Sequence, residues 1–237
     1  TAITKAIRYG SATYHGQIVT NDPSVCKSAP VIGAWSNKNG TPEIIPGSTT
    51  APPDVKALQV GWSFGDNGLE PEVLDTGETV SPGYACEADL TSMKGKTVAA
   101  ADPASTSGYL FPGLAAQNAG LDLDADMNLI FAGGHGGVIQ AVYNGDADFG
   151  FSFDDARRTL RKENPDVGEK VIVIGISPEI PNDVIAVNAD LSDELQQLIL
   201  DGMVAFLAQG EDAENFFDTF YGWTAVETVE DSEFDPV

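Results

Sequence analysis

Positive charge is what this sequence lacks most: 12 Lys and Arg stand against 36 Asp and Glu, for a net charge of −24. The acidic surplus runs along the whole chain rather than in one tail, which makes nucleic acid and anionic membrane poor partners. It also denies an anionic ligand any long-range basic field, so an oxyanion site here must work through donors at close range. A saline or marine habitat is one plain explanation of such a charge. No apolar run approaches the length of a membrane span, and Thr1 has no apolar leader behind it, so the chain reads as a mature, processed or truncated product. Histidine is confined to His15 and His135. No His-Glu-x-x-His pair is present, and no Gly-Lys-Ser/Thr follows Ser105-Thr106-Ser107-Gly108, so the usual zinc pair and a P-loop at that turn are missing. The expectation is a protein that is not an enzyme, with no cofactor and no metal.

Cysteine is also scarce. Cys26 and Cys86 sit in no Cys-x-x-Cys or Cys/His cluster. A disulfide is the simpler reading; it suits an extracytoplasmic protein and restricts the unfolded chain by about 4 kcal/mol. Two buried thiols are the alternative.

What the chain does have is a 42% hydrophobic content over 237 residues, enough for one large domain or two modest lobes. Strand-like runs occupy Ala2–Arg8 and His15–Thr20, with Gly10-Ser11 between them. From Lys27 to Tyr84 periodicity weakens, Gly, Pro, Ser, Thr and Asn are frequent, and Thr50-Ala51-Pro52-Pro53 punctuates the middle; this reads as an insertion bracketed by the two cysteines. From Lys94 onward short apolar runs alternate with helical periods, as in an α/β unit. The pattern predicts strands at Thr97–Ala101, Asn128–Ala132, Ala147–Phe153, Lys170–Ile176 and Val184–Val187. It predicts helices at Gly108–Asn118, Gly136–Tyr143 and Asp154–Lys162. Ser192 caps a further helix with Leu195, Leu198, Ile199, Met203 and Phe206 on one face, and an aromatic helix with Phe216, Phe217 and Phe220 follows before an acidic, irregular tail.

Four features can carry chemistry. Asp102-Pro103-Ala104-Ser105-Thr106-Ser107-Gly108-Tyr109 lies between a strand and a helix, where unpaired N–H groups and the positive end of the helix dipole favour anions. Three hydroxyls add donors and Gly108 permits close backbone approach; the plain alternative is that one serine is merely an N-cap. Pro112 should kink the first turns of this helix or shift its start. Gly133-Gly134-His135-Gly136-Gly137 also precedes a helix, and His135 can donate a ring N–H to an oxyanion, although a lone histidine is usually a surface or capping residue. Asp154-Asp155 and Asn182-Asp183 stand at strand boundaries, where carboxylates of an open α/β sheet line a ligand crevice; a helix cap and a turn residue are the bland readings.

Together these residues resemble the phosphate/phosphite/phosphonate solute-binding proteins of ABC importers. The resemblance is carried by Met93-Lys94-Gly95-Lys96-Thr97-Val98, the Asp102–Leu110 run, Phe131-Ala132-Gly133-Gly134-His135, Asp154-Asp155-Ala156-Arg157, Ile180-Pro181-Asn182-Asp183 and the ending Phe234–Val237, with a shorter match over Ser11–Thr20. It implies an α/β fold of the periplasmic-binding-protein type II, with the second lobe largely complete and the first lobe truncated. It implies that Ser105, Thr106, Ser107 and His135 hold phosphorus oxygens, that Asp155 and Asp183 receive an amino group, and that Tyr14 faces the ligand. The corresponding division is residues 1–20 as crossover and first-lobe remnant, 27–84 as insertion, 87–187 as the ligand-binding α/β lobe, and 188–237 as C-terminal helices and acidic tail. The expected partners are a small phosphorus oxyanion and an ABC permease, in a periplasmic, secreted or lipid-anchored location. A structural or assembly subunit that meets another protein, and an enzyme on the same fold, are the competing readings.

Overall fold

A computed structural model describes residues 2–8, 11–36, 43–46, 55–57, 60–65, 68–210, 216, 217, 219 and 221–229. Gly10, the Thr50-Ala51-Pro52-Pro53 stretch, Phe220 and the tail beyond Val229 lie outside those residues. The elements, in chain order, begin with β1 (Ala2–Ile7), β2 (Thr13–Thr20), β3 (Val31–Ser36), β4 (Glu43–Pro46) and β5 (Val55–Ala57). Next come β6 (Trp62–Gly65), β7 (Gly68–Pro71), β8 (Tyr84–Ala85), β9 (Thr97–Ala100), α1 (Phe111–Asn118), β10 (Asn128–Phe131) and α2 (His135–Asn144). The chain continues through β11 (Phe149–Phe153), α3 (Val167–Lys170), β12 (Ile172–Pro181), β13 (Val184–Ala186), α4 (Asp193–Leu207) and β14 (Ala225–Thr228).

Contacts divide the chain into two units, Thr1–Tyr14 with Glu179–Val237 and His15–Pro178, and the chain passes between them within β2 and within β12. The smaller unit holds the antiparallel sheet β13-β1-β14, with α4 packed on β1 and β14. Ser192 caps α4 through its side chain, which accepts from the Leu195 N–H. The apolar face of α4 is not a core: Leu195, Leu198 and Phe206 are exposed and only Leu207 is buried. Phe206 instead meets Phe216 and Phe217 edge-on, and Phe217 stacks on Trp223.

In the larger unit, a sheet of nine strands among the described residues runs β10-β9-β11-β2-β12-β8-β3-β4, with β5 also on β3. Strands β10, β9 and β11 are mutually parallel and β2 is antiparallel to β11. Period-two alternation sends successive residues to opposite sheet faces and thereby builds two cores. Ile18, Val98, Ala100, Phe149, Phe151, Ile172 and Ile174 join Ala116 of α1 in one, while Val19, Ala99, Val171 and Val173 join Val138, Ile139 and Val142 of α2 in the other. Each fully buried Val, Ile or Phe stabilises the fold by about 1.5–3 kcal/mol. Helices on both faces of a parallel core leave the C-terminal ends of β10, β9 and β11 as the place where ligands meet such sheets.

Cys26 and Cys86 form a disulfide, with Cα atoms 5.7 Å apart. The weakly periodic 27–84 segment is not irregular throughout: β3, β4 and β5 extend the main sheet beyond β8, and β6 and β7 make a separate hairpin. The helix expected over Asp154–Lys162 is reduced to a 3-10 turn, Ala156–Thr159. Tertiary structure overrides helical propensity there, because the fully buried Arg157 is drawn inward to donate to the carbonyls of Tyr84, Gly168 and Val171. The expected strand Lys170–Ile176 is displaced by α3, so that β12 begins at Ile172 and runs on to Pro181.

Candidate functional site

Three chain segments leave the C-terminal ends of β9, β10 and β11, and they carry the polar groups of interest. After β9, Ser105 caps a helix that begins as a π-helical turn over Thr106–Leu110 and passes into α1 at Phe111. Pro112 accounts for the wide start. In a regular α-helix its N–H would bond to the Gly108 carbonyl, but proline has no N–H and its ring would crowd that oxygen. The carbonyls of Ser105 and Thr106 instead accept from Leu110 and Phe111, five residues on, and the Gly108 carbonyl accepts from the Ala101 N–H at 3.0 Å. The start of the helix is thereby tied to the end of β9.

The capping reading of the serines holds for Ser105. Ser105 Oγ accepts from the Gly108 N–H at 3.0 Å. Thr106 and Ser107, at the first two positions, have N–H groups that no helical carbonyl can reach. Their hydroxyls have no hydrogen-bond partner in the described residues, and neither is sealed from solvent, although Ser107 as a whole is only 2% exposed. Gly16 of β2 lies against this turn, since a Cβ placed there would sit 2.9 Å from the Ser107 carbonyl oxygen.

After β10, Gly133 and Gly134 take φ values of 75° and 145°, in the region open to glycine, and deliver His135 as the first residue of α2. Gly134 provides no side-chain cap, so the first N–H groups of α2 also face outward. The two helix starts converge: a Cβ on Gly108 would sit 2.9 Å from His135 Cε1 and 2.8 Å from Ser105 Oγ. His135 Nδ1 lies 3.0 Å from Ser152 Oγ on β11, and the imidazole meets the Phe153 ring edge-on at 4.7 Å. Burial pushes its pKa below the ordinary histidine value, so the ring is neutral at neutral pH. Nε2 has no protein partner among the described residues.

Asp155, read from the sequence as an amine acceptor, is occupied. It is 2% exposed, and its two oxygens accept from Arg157 Nε at 2.9 and 3.2 Å, from an Arg157 terminal nitrogen at 2.7 Å, from the Arg157 N–H at 3.1 Å and from Gln17 Nε2 at 3.3 Å. Burial pushes its carboxyl up, but the charge and hydrogen bonds of Arg157, with Gln17, outweigh it and hold the carboxyl below the ordinary range. Asp154 accepts from the His15 N–H at 2.9 Å. Tyr14 and Asp183 belong to the smaller unit. Tyr14 is half-buried on β2; Asp183 is exposed, and its carboxylate is paired with Arg8. Neighbouring Asn182 is a buried clip that donates to the carbonyls of Ala6 and Ser11.

Ser105, Thr106, Ser107 and His135 are thus brought together; Ser152, not singled out in the sequence, meets the ring of His135, while Gln17 and Arg157 hold Asp155. The arrangement offers neutral donors and two positive helix ends in place of lysine or arginine, which suits a small oxyanion on an acidic protein. A separate recess of about 670 Å³, lined by Tyr84, Tyr143, Asp166 and Lys170 among others, lacks this character: Lys170, Asp166 and Tyr143 satisfy one another. Among the described residues no helix is long and apolar enough to cross a membrane.

The chain is similar to known proteins in sequence and in fold. The phosphate-import protein PhnD of Mycolicibacterium smegmatis is 31% identical over 154 residues, which cover 57% of this chain and 47% of that protein. The chain therefore spans about half the length of that relative. A binding protein component of an ABC phosphonate transporter from Pseudomonas aeruginosa matches with a TM-score of 0.58 at 17% identity, covering 99% of this chain and 59% of that one. PhnD1 from Prochlorococcus marinus, solved in complex with methylphosphonate, matches with a TM-score of 0.57 at 14% identity, covering 99% of this chain and 68% of that one. At such identities the likeness is one of fold, the α/β periplasmic-binding type. The family model for the periplasmic substrate-binding protein of phosphonate ABC transporters matches residues 1–234, and the chain belongs to that family.

Proposed function

We propose that this chain binds a tetrahedral phosphorus oxyanion, with a phosphonate first and phosphate or phosphite as related ligands, for uptake through an ABC permease. The observation that carries the reading is the convergence of two helix starts with unengaged donors, at Thr106-Ser107 and at His135. A phosphoryl group carries three acceptor oxygens on one face, and such a set of N–H, O–H and imidazole donors can meet them without a buried cation. Methylphosphonate in the Prochlorococcus protein and phosphate import by the mycobacterial relative support the ligand class. The family is one of periplasmic transport binding proteins, which supports an extracytoplasmic location for this chain.

In this reading Ser105, Thr106, Ser107 and His135 serve the oxygens. Asp155 acts from behind, through Gln17, rather than by contact. Asp183 is the carboxylate for an ammonium group, exchanging its Arg8 partner, and Tyr14 gives a ring face to the ligand. Titration calorimetry with phosphate, phosphite, methylphosphonate and 2-aminoethylphosphonate tests the proposal. Binding of at least one, lost in His135→Ala, is expected; no heat from any of the four at sub-millimolar protein would sink it.

A further inference from the structure

We infer that Ser152 is a positioning residue, which fixes the tautomer of His135 so that its ring presents an N–H to the ligand. The inference rests on the oxyanion reading above and adds a residue to it. Ser152 lies on β11 with no solvent exposure, and His135 Nδ1 at 3.0 Å is its side-chain partner. A neutral imidazole has one N–H and one acceptor nitrogen, so the direction of this single hydrogen bond decides which nitrogen carries the proton. With the Ser152 hydroxyl donating, Nδ1 is the acceptor and Nε2, the nitrogen without a protein partner, carries the hydrogen. With Nδ1–H donating instead, Nε2 would turn a lone pair toward an anion and repel it.

A second buried group makes the choice a real one. Gln17 stands directly opposite Ser152 in the β2–β11 ladder, so both side chains rise from the same face of the sheet. Gln17 is fully buried, and its Oε1 has no hydrogen-bond partner. Its amide cannot turn round to relieve this, because Nε2 is held by the ionised Asp155, which Arg157 keeps charged. A turned amide would set oxygen against carboxylate. Ser152 therefore has two acceptors within its neighbourhood, His135 Nδ1 in hydrogen-bond contact and Gln17 Oε1 across the ladder. The contact distance selects His135, and the unsatisfied Gln17 oxygen is what that selection leaves behind.

The test is nitrogen-15 NMR of the imidazole rings in the ligand-free protein at neutral pH, with His135→Gln used to assign the signals. An unprotonated Nδ1 and a protonated Nε2 are expected. A protonated Nδ1 would overturn the inference, since Ser152 would then be serving Gln17. The second arm is Ser152→Ala, titrated with inorganic phosphate and methylphosphonate. Loss of one neutral hydrogen bond behind the ring should weaken whichever ligand the wild type binds by about threefold to tenfold, with the ring signals moving toward a mixture of tautomers. Unchanged affinity and unchanged ring signals in this variant would refute the positioning role. Failure of the wild type to bind any oxyanion, by contrast, removes the functional reading and leaves the tautomer measurement standing.

Discussion

Replacing Arg157 by methionine should reverse the way one carboxylate couples stability to pH. The Arg157–Asp155 pair is buried, with side chains 0% and 1% exposed. Removing one partner of such a pair costs about 3–5 kcal/mol. The upper end is expected at neutral pH, because the carbonyls of Tyr84, Gly168 and Val171 lose their donor as well. In the wild type the folded carboxyl lies below its ordinary value of 3.8. Its contribution is therefore present above the unfolded pKa and lost as pH falls through the folded one. In Arg157→Met burial is left to dominate and the folded value rises above the unfolded one. The native state then keeps a proton that the unfolded chain releases, and this contribution weakens as pH rises. Urea unfolding of both proteins from about pH 7 to about pH 4.5 should show the gap between them narrowing on acidification, with other carboxylates cancelling in the difference. A gap that is constant or widens toward acid would refute the reasoning.

Gly108→Ala should weaken both the fold and the ligand site, because the new methyl would lie 2.5 Å from Ala101 Cβ and 2.9 Å from His135 Cε1. A loss of about 1–3 kcal/mol in thermal unfolding, with weaker oxyanion binding by calorimetry, is expected. Reduction of Cys26–Cys86, whose partners are 60 residues apart, should lower stability by about 4 kcal/mol in the chain-entropy account, read as a drop in the urea midpoint on adding a reductant. Asp183→Ala should weaken 2-aminoethylphosphonate far more than phosphate in parallel titrations; equal losses would assign Asp183 to its pair with Arg8 instead.

The legible part of the site was local. A strand end, three hydroxyls and a helical period identify Ser105–Ser107, and two glycines before another helix identify His135, because all of these lie within a few residues of one another. Ser152 was not legible, since a serine inside Phe149–Phe153 declares nothing until β2 lies beside it and α2 lies over it. Gln17 gains meaning only through that ladder. Asp155 shows the opposite difficulty: its position at a strand end was readable, but its capture by Arg157 depends on carbonyls of Tyr84, Gly168 and Val171, which come from distant segments. The strands of 27–84 escaped notice because most add to the edge of a sheet already formed and need less alternation than strands that build its core. The apolar face of α4 followed from helical periodicity, whereas its exposure did not, because periodicity specifies which side chains share a face and not what covers them.

Pro112 contributes no N–H donor to the candidate site, yet it governs how the helix there opens. By refusing one hydrogen bond it makes the helix open with a wider ring of backbone, and Thr106 and Ser107 lie in that ring. A proline in such a place is a tuning element that sequence comparison of contact residues alone would overlook. Shifting it along the helix would move the wide turn while Ser105-Thr106-Ser107 stayed intact, and under the proposed oxyanion reading that would change the donor spacing without replacing any donor.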